Sequence, residues 1–225
     1  MPRASRDESL HRLINMPVRD ETVVRQLVSS LAGDIICAEV GTWTGNTAKA
    51  MIEAGASRVY CIDHWLGSDH DPSGAFARQY GQRKLFEQFC VNVAEYLPDK
   101  IVPLVGTSEL WASVLPHQSF DFIFIDAGHE YEEAMQDIIL WLPHVKPGGI
   151  LAGHDYAIRM FPGVTQAVHE FAESRPDLDH YPKDLQPGDA AIWWTHIPEE
   201  SSVAGAAETG AGAAAAAPVA SFINP

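Results

Sequence analysis

Residues 35–47 read I-I-C-A-E-V-G-T-W-T-G-N-T. A short apolar run with β-branched Ile35, Ile36 and Val40 breaks into a turn carrying Gly41 and Gly45, and a helix-competent segment, residues 48–54, follows. Strand, glycine turn and helix in that order receive nucleotide-like cofactors, because backbone N–H groups and a helix N-terminus converge on the turn. Glycine tolerates positive φ and close backbone approach, so Gly41 and Gly45 are expected to let a cofactor lie against the main chain. The spacing is G-x-x-x-G, whereas dinucleotide sites use G-x-G-x-x-G. An acid, Glu39, sits inside the end of the strand. A carboxylate there repels a pyrophosphate and suits a cofactor that carries an ammonium and a sulfonium. A tight strand-to-helix turn without a ligand uses the same residues, so the remainder of the chain has to decide.

Working outward, residues 5–15 and 19–31 carry apolar side chains at helical spacing and are separated by Pro17. Two helices are therefore expected before the first strand. On the other side, residues 58–63 form a second strand ending in Asp63, one βαβ unit beyond the glycine turn. An acid at that place can accept hydrogen bonds from both ribose hydroxyls of an adenosine, although a turn or cap acid is the plainer alternative. An insert at residues 65–98 follows. Its first part is polar and turn-rich and its second part, 76–96, is helical in pattern. Asp69, His70 and Asp71 are consecutive, which suits a solvated loop better than a metal site. A loop of this kind beside a cleft is expected to act as a substrate lid.

Further strands are predicted at 100–105, 120–126, 150–152, 179–181 and 188–195. The run F-D-F-I-F-I-D at 120–126 is apolar on both faces, as a central parallel strand requires. Helices are expected at 109–115, after the A-G-H-E-Y run of 127–131 through Trp141, and at 165–173. Ser108 is placed to cap the first of them or to bind a cofactor near its adenine. The alternation of strands and helices, closed by a hairpin, predicts an α/β fold. Its sheet is doubly wound and seven-stranded, mostly parallel with a reversed C-terminal edge strand. Asp126, His129, His154 and Asp155 come from two strand ends that neighbour each other in such a sheet, on the side where ligands bind.

The 225 residues are 46% hydrophobic, which suits one α/β domain of 34–198 preceded by helices in 1–33. Residues 199–225 are rich in Ala and Gly and are expected to be disordered. The net charge is -15, and only three of the 30 acids lie beyond Pro198, so the body itself is acidic. Together with the lack of a basic, aromatic-interleaved stripe, this argues against nucleic acid as a partner. Solubility is the plainer use of the charge. Cys37, Cys61 and Cys90 lack metal-type spacing and read as buried thiols of a reducing compartment. With no bilayer-length apolar run and no hydrophobic signal core, the expectation is a cytoplasmic protein that makes no membrane contact.

The stretch E-V-G-T-W-T-G at 39–45 resembles the first motif of class I S-adenosylmethionine (SAM)-dependent methyltransferases. Three later runs resemble one branch of that class: I-D-A-G-H-E-Y at 125–131, D-I-I-L-W-L-P at 137–143 and K-P-G-G-I-L-A-G-H-D-Y at 146–156. This branch contains small-molecule O-methyltransferases, including macrolide-sugar and related saccharide methylators and cephalosporin-hydroxylase-like proteins. The resemblance runs from Ile35 to Trp194. It implies a Rossmann-like domain that binds SAM through Glu39, Gly41, Thr42, Gly45, Asp63, Ser108 and Asp126. Its acceptor is implied to be a small hydroxylated metabolite or sugar. In metal-dependent members, acids at these strand ends hold magnesium, which implies Asp126 and Asp155 as ligands. Where those enzymes carry a second acid, this chain has His154. Imidazole is a poor partner for magnesium, so His154 stays outside the shell, the metal is softer (manganese or zinc), or no metal binds. His129 and His154 have the intrinsic pKa of a base for the acceptor hydroxyl. In enzymes of this type exposed N-terminal helices often pair, which makes a homo-oligomer an option. A nicotinamide-dependent oxidoreductase and a non-catalytic SAM-binding protein are the alternatives on the same architecture.

Overall fold

The computed structural model describes residues 19–67, 75, 78–79, 81–181 and 191–199. The helix expected at 5–15, the Asp69–His70–Asp71 loop, the turn at Gly188–Asp189 and the Ala/Gly segment from 200 onward lie outside the described residues.

The elements run α1 (Arg19–Ser30), β1 (Ile36–Val40), α2 (Asn46–Glu53), β2 (Arg58–Asp63) and α3 (Gln82–Asn92). They continue with β3 (Ile101–Val105), α4 (Ser108–Val114), β4 (Phe120–Ile125), α5 (Tyr131–Trp141) and β5 (Val145–Gly153). The last three are α6 (Pro162–Ser174), β6 (Asp179–Tyr181) and β7 (Trp193–His196). The sheet order is β3-β2-β1-β4-β5-β7-β6. The first five strands pair in parallel, and β7 runs antiparallel to both β5 and β6. The doubly wound, seven-stranded sheet expected from the sequence is therefore present. Its reversed strand is the chain's last one and lies just inside β6.

Alternation along the strands divides the core into two layers. Cys37, Phe122, Phe124 and Ile150 pack with α1, α2 and α3 on one face. Ala38, Ile123, Ile125 and Leu151 pack with α4, α5 and α6 on the other. Such double coverage is why these strands read as apolar on both sides in the sequence. β5 begins earlier than expected, at Val145, because Gly148 takes a φ of 78° and the β4 register shifts between Phe120 and Phe122. The bulge absorbs the Gly148-Gly149 turn inside the strand.

The strand order reverses between β1 and β4, and this is where a doubly wound sheet opens a crevice at its C-terminal edge. At that point the Asp126 amide donates to the Val40 carbonyl at 2.7 Å and the Gly41 amide to the Ile62 carbonyl at 2.9 Å. Gly41 has a φ of 86°, and a Cβ added to it would stand 2.1 Å from the Asp126 carbonyl oxygen. The residue is glycine because the β4 backbone occupies the space of a side chain. The side-chain direction at Gly41 is thus filled by protein, a requirement for glycine separate from any cofactor. The same holds for Gly45, whose added Cβ would meet Val93 Cγ1 at 2.6 Å and Phe89 at 2.9 Å. Gly41→Ala is expected to destabilise the chain by about 3 kcal/mol or more, since a main-chain clash adds to an unfavourable φ. A chemical-denaturation midpoint equal to that of the native chain would contradict this account.

Candidate active site

Glu39 is the next-to-last residue of β1, at the C-terminal edge of the sheet. It is 1% exposed, and its Oε2 has no hydrogen-bond partner. Burial raises its pKa well above the carboxylate range and the nearby Asp126 adds to this, while the Thr42 and Thr47 hydroxyls pull the other way. A buried, unpartnered carboxyl oxygen calls for a donor from outside the chain. Thr42, grouped with the cofactor residues by resemblance, is buried with its hydroxyl 3.3 Å from the Glu39 carbonyl.

Asp63 ends β2, and its carboxylate receives two main-chain donors. The Trp43 amide reaches Oδ2 at 2.8 Å, and the Trp65 amide reaches Oδ1 at 2.6 Å. The Trp65 indole N–H then donates to the Trp43 carbonyl at 2.8 Å. Asp63 therefore binds the loop after β1 to the loop after β2. Both tryptophans have positive φ, 49° and 50°. Of the five non-glycine residues with positive φ among the described residues, four follow β1, β2 or β5 at the C-terminal edge: Trp43, Trp65, Asp155 and Ala157. Backbone strain of this kind collects at functional sites. These conformations, and the tie between the two loops, are not written in any local motif.

The helical half of the insert departs from the lid expectation. Leu85, Phe89 and Val93 are buried in the core, and Trp65 packs on Phe86 and Phe89 with ring centroids 4.8 Å away in each case. The Asn92 side-chain amide donates to the Thr44 carbonyl at 3.0 Å. α3 therefore buttresses the glycine loop, because its apolar face is needed to close the core over α2 and β2.

Ser108 is corrected in the same way. Thr107 is the residue that caps α4, accepting from the Leu110 amide at 3.3 Å. The Ser108 hydroxyl turns inward, donating to Asp137 and accepting from the Trp141 indole at 2.8 Å. Asp137 is 6% exposed. Burial raises its pKa to about 6, against the lowering effect of Ser108, and Glu109 and Glu133 raise it further. A carboxyl whose folded pKa exceeds its unfolded value adds stability below the unfolded pKa and loses it as pH climbs through the folded one. Ionised Asp137 thus costs on the order of 3 kcal/mol above pH 7. Asp137→Asn is expected to flatten the fall in Tm between about pH 4 and pH 6, measured by thermal melts across that range. An unchanged pH slope would refute the assignment.

The second constellation gathers as the sequence suggested. Asp155 has a φ of 59°. His129 Nε2 lies 2.8 Å from Asp155 Oδ2, and His154 Nδ1 lies 3.1 Å from Asp155 Oδ1 and 3.5 Å from Asp126 Oδ1. Burial alone would raise the Asp155 pKa, but the bonds from His129 and His154 outweigh it and hold the carboxylate at about 2. The His129 ring stacks on Phe161 with centroids 4.0 Å away. His154 presents Nδ1 to both carboxylates. Asp126, His154 and Asp155 also place donor atoms within 4.8 Å of one another. Two carboxylates and an imidazole form a mixed oxygen and nitrogen set that fits manganese or zinc better than magnesium.

Cys37 and Cys61 are buried, and burial raises both thiols above their ordinary range, as expected of structural cysteines. Among the described residues no helix is long and apolar enough to cross a membrane.

A buried acid with an unpartnered oxygen at the switch point and an Asp/His cluster at the neighbouring strand ends mark the C-terminal edge of this α/β sheet as the candidate site. Residues 38–156, more than half of the chain, match a family described as a methyltransferase domain, and the chain belongs to that family. A curated relative, an uncharacterised protein of Sinorhizobium fredii, is 25% identical over 141 residues, or 62% of this chain. The chain spans 14% of that relative's length. Among solved structures, an O-methyltransferase from Bacillus cereus in complex with SAH is 18% identical with a TM-score of 0.55, covering 88% of this chain and 93% of the other. The O-methyltransferase TomG from Streptomyces achromogenes, solved with SAM, is 14% identical with a TM-score of 0.58, covering 85% and 86%. At these identities the likeness is one of fold. Family membership leaves the nicotinamide alternative without support.

Proposed function

We propose that the chain is a SAM-dependent O-methyltransferase acting on a small hydroxylated molecule. The observation that carries this reading is the buried Glu39 Oε2 without a partner, at the switch point of a methyltransferase-family domain. The ammonium of a methionyl group supplies the donor this oxygen lacks, and its charge favours the ionised acid. Asp63 has both oxygens on main-chain donors. It shapes the loops that flank the cofactor, and a carboxylate, which has about four lone-pair sites, can also accept from ribose hydroxyls. Names borne by the fold relatives, with SAM or SAH bound to them, point the same way.

When bound, SAM supplies a methyl group already activated by its sulfonium. What the chain provides is alignment of an acceptor oxygen and a place for its proton. Asp155 holds His154 through Nδ1, and this imidazole is the group placed to take that proton. Both imidazoles rest on Asp155, but His129 is also stacked on Phe161 and less exposed (13% against 19%), so it serves as a support and His154 is the base. Asp126, His154 and Asp155 would instead hold a divalent metal when one binds, and the metal then lowers the pKa of a bound hydroxyl in place of a histidine base. The acidic body favours a neutral or cationic acceptor over an anionic one.

Calorimetry with S-adenosylhomocysteine tests the cofactor assignment. Glu39→Gln and Asp63→Asn are each expected to weaken binding by about tenfold or more. Unchanged affinity in both variants would defeat the proposal. For the metal, manganese is expected to raise Tm more than magnesium at equal concentration, and Asp155→Asn to abolish the difference. Equal response of native chain and variant would remove the metal from this site.

A further inference from the structure

One register row crosses the whole sheet. Pro103 of β3 pairs with Cys61 of β2, Cys61 with Glu39 of β1, and Glu39 with Phe124 of β4. Phe124 pairs with Ala152 of β5, Ala152 with Trp194 of β7, and Trp194 with Tyr181 of β6. Because paired residues share a face, Glu39 and the two aromatic residues stand on the same side of the sheet. Cys61, Phe124 and Ala152 lie in the core layer of that face, and Trp194 packs against it. Three strand spacings, about 14 Å, take the row from Glu39 to Trp194.

His154 belongs to this face as well. It stands two residues beyond Ala152, and its ring lies 6.5 Å from that of Phe124. Its Cα is therefore about 8 Å from that of Trp194, one strand across and two residues along. Phe124 and Ala152 are buried, whereas Trp194 and Tyr181 are partly exposed, so the aromatic pair is where the row reaches the surface. The two rings stack with centroids 5.1 Å away and planes 7° from parallel. Tyr181 thereby covers the indole face directed at β6, and the opposite indole face is directed at β5 and His154.

We propose that Trp194, backed by Tyr181, is the platform on which the ring of the methyl acceptor stacks. This rests on the methyl-transfer reading. The face carries the acid proposed for the cofactor on β1, His154 two residues beyond the row on β5, and a flat apolar surface one strand further out on β7. An acceptor that meets the last two is a six-membered ring with adjacent hydroxyls. Its face packs on the indole while its hydroxyl edge meets His154 and Asp155. A sugar and a catechol share that chemistry.

The test uses the full chain saturated with S-adenosylhomocysteine, with methyl α-D-glucopyranoside and catechol as probes in NMR titrations. At least one probe is expected to bind the native chain, and which one does identifies the ring. Trp194→Leu is expected to weaken it about tenfold or more, the contribution of one stacked ring, and Trp194→Tyr by less than about threefold. Tyr181→Leu is expected to weaken it in the same direction, by freeing the indole to turn. S-adenosylhomocysteine affinity is expected to stay within about twofold in all three variants. Probe affinity unaffected by Trp194→Leu overturns the platform, as does failure of both probes to bind the loaded native chain. Failure of the native chain to bind S-adenosylhomocysteine overturns the methyl-transfer reading, and the platform with it.

Discussion

The close approach of the β1 and β4 ends governs this molecule. Asp126 donates its amide to Val40, while Gly41 turns under Asp126 with no space for a side chain. That contact places the loop after β1 and the first acid of the Asp/His group on opposite sides of one narrow crevice. A bulkier residue at 41 would push β4 away, separating the cofactor side from the proton-transfer side. The rest of the site is arranged around this fixed distance.

Four acids crowd the C-terminal edge of the sheet, and each is managed differently. Glu39 is buried, and its pKa is driven up by desolvation. Asp63 is held by two main-chain amides. Asp155 is kept ionised by two imidazoles despite its burial. Asp126, partly exposed, faces His154 from the other side. Like charges so close would repel if all were equally bare, so the differing partners are what allow the cluster to exist. In the proposed reaction they also divide the labour: Glu39 meets the cation of the cofactor, Asp63 shapes loops, and Asp155 orients the base.

Much of this was readable from residues 35–47 and 120–156. Buried parallel strands need long apolar runs, and crossover helices need a matching periodic face, so both leave strong local signals. The grouping of Asp126, His129, His154 and Asp155 followed from strand order alone, since neighbouring strand ends bring their next residues together. The roles within the group did not follow. That His129 spends Nε2 on Asp155, and that Ser108 turns to Asp137, depend on rotamers set by packing from other elements. The glycines were ambiguous for a similar reason. A glycine needed for a cofactor and one needed for a neighbouring backbone look identical in sequence, and here Asp126, Val93 and Phe89 fill the space.

The chain by itself determined the alternating architecture, the switch-point crevice and the acids that end its strands, because period, turn chemistry and strand polarity are local properties. The tertiary structure alone decided that α3 is a buttress and that Asp63 ties two strained tryptophan loops. It alone aligned Glu39, Ala152 and Trp194 in one row on one face. Those facts depend on register and on contacts between residues far apart in the chain, and no window of sequence contains both partners.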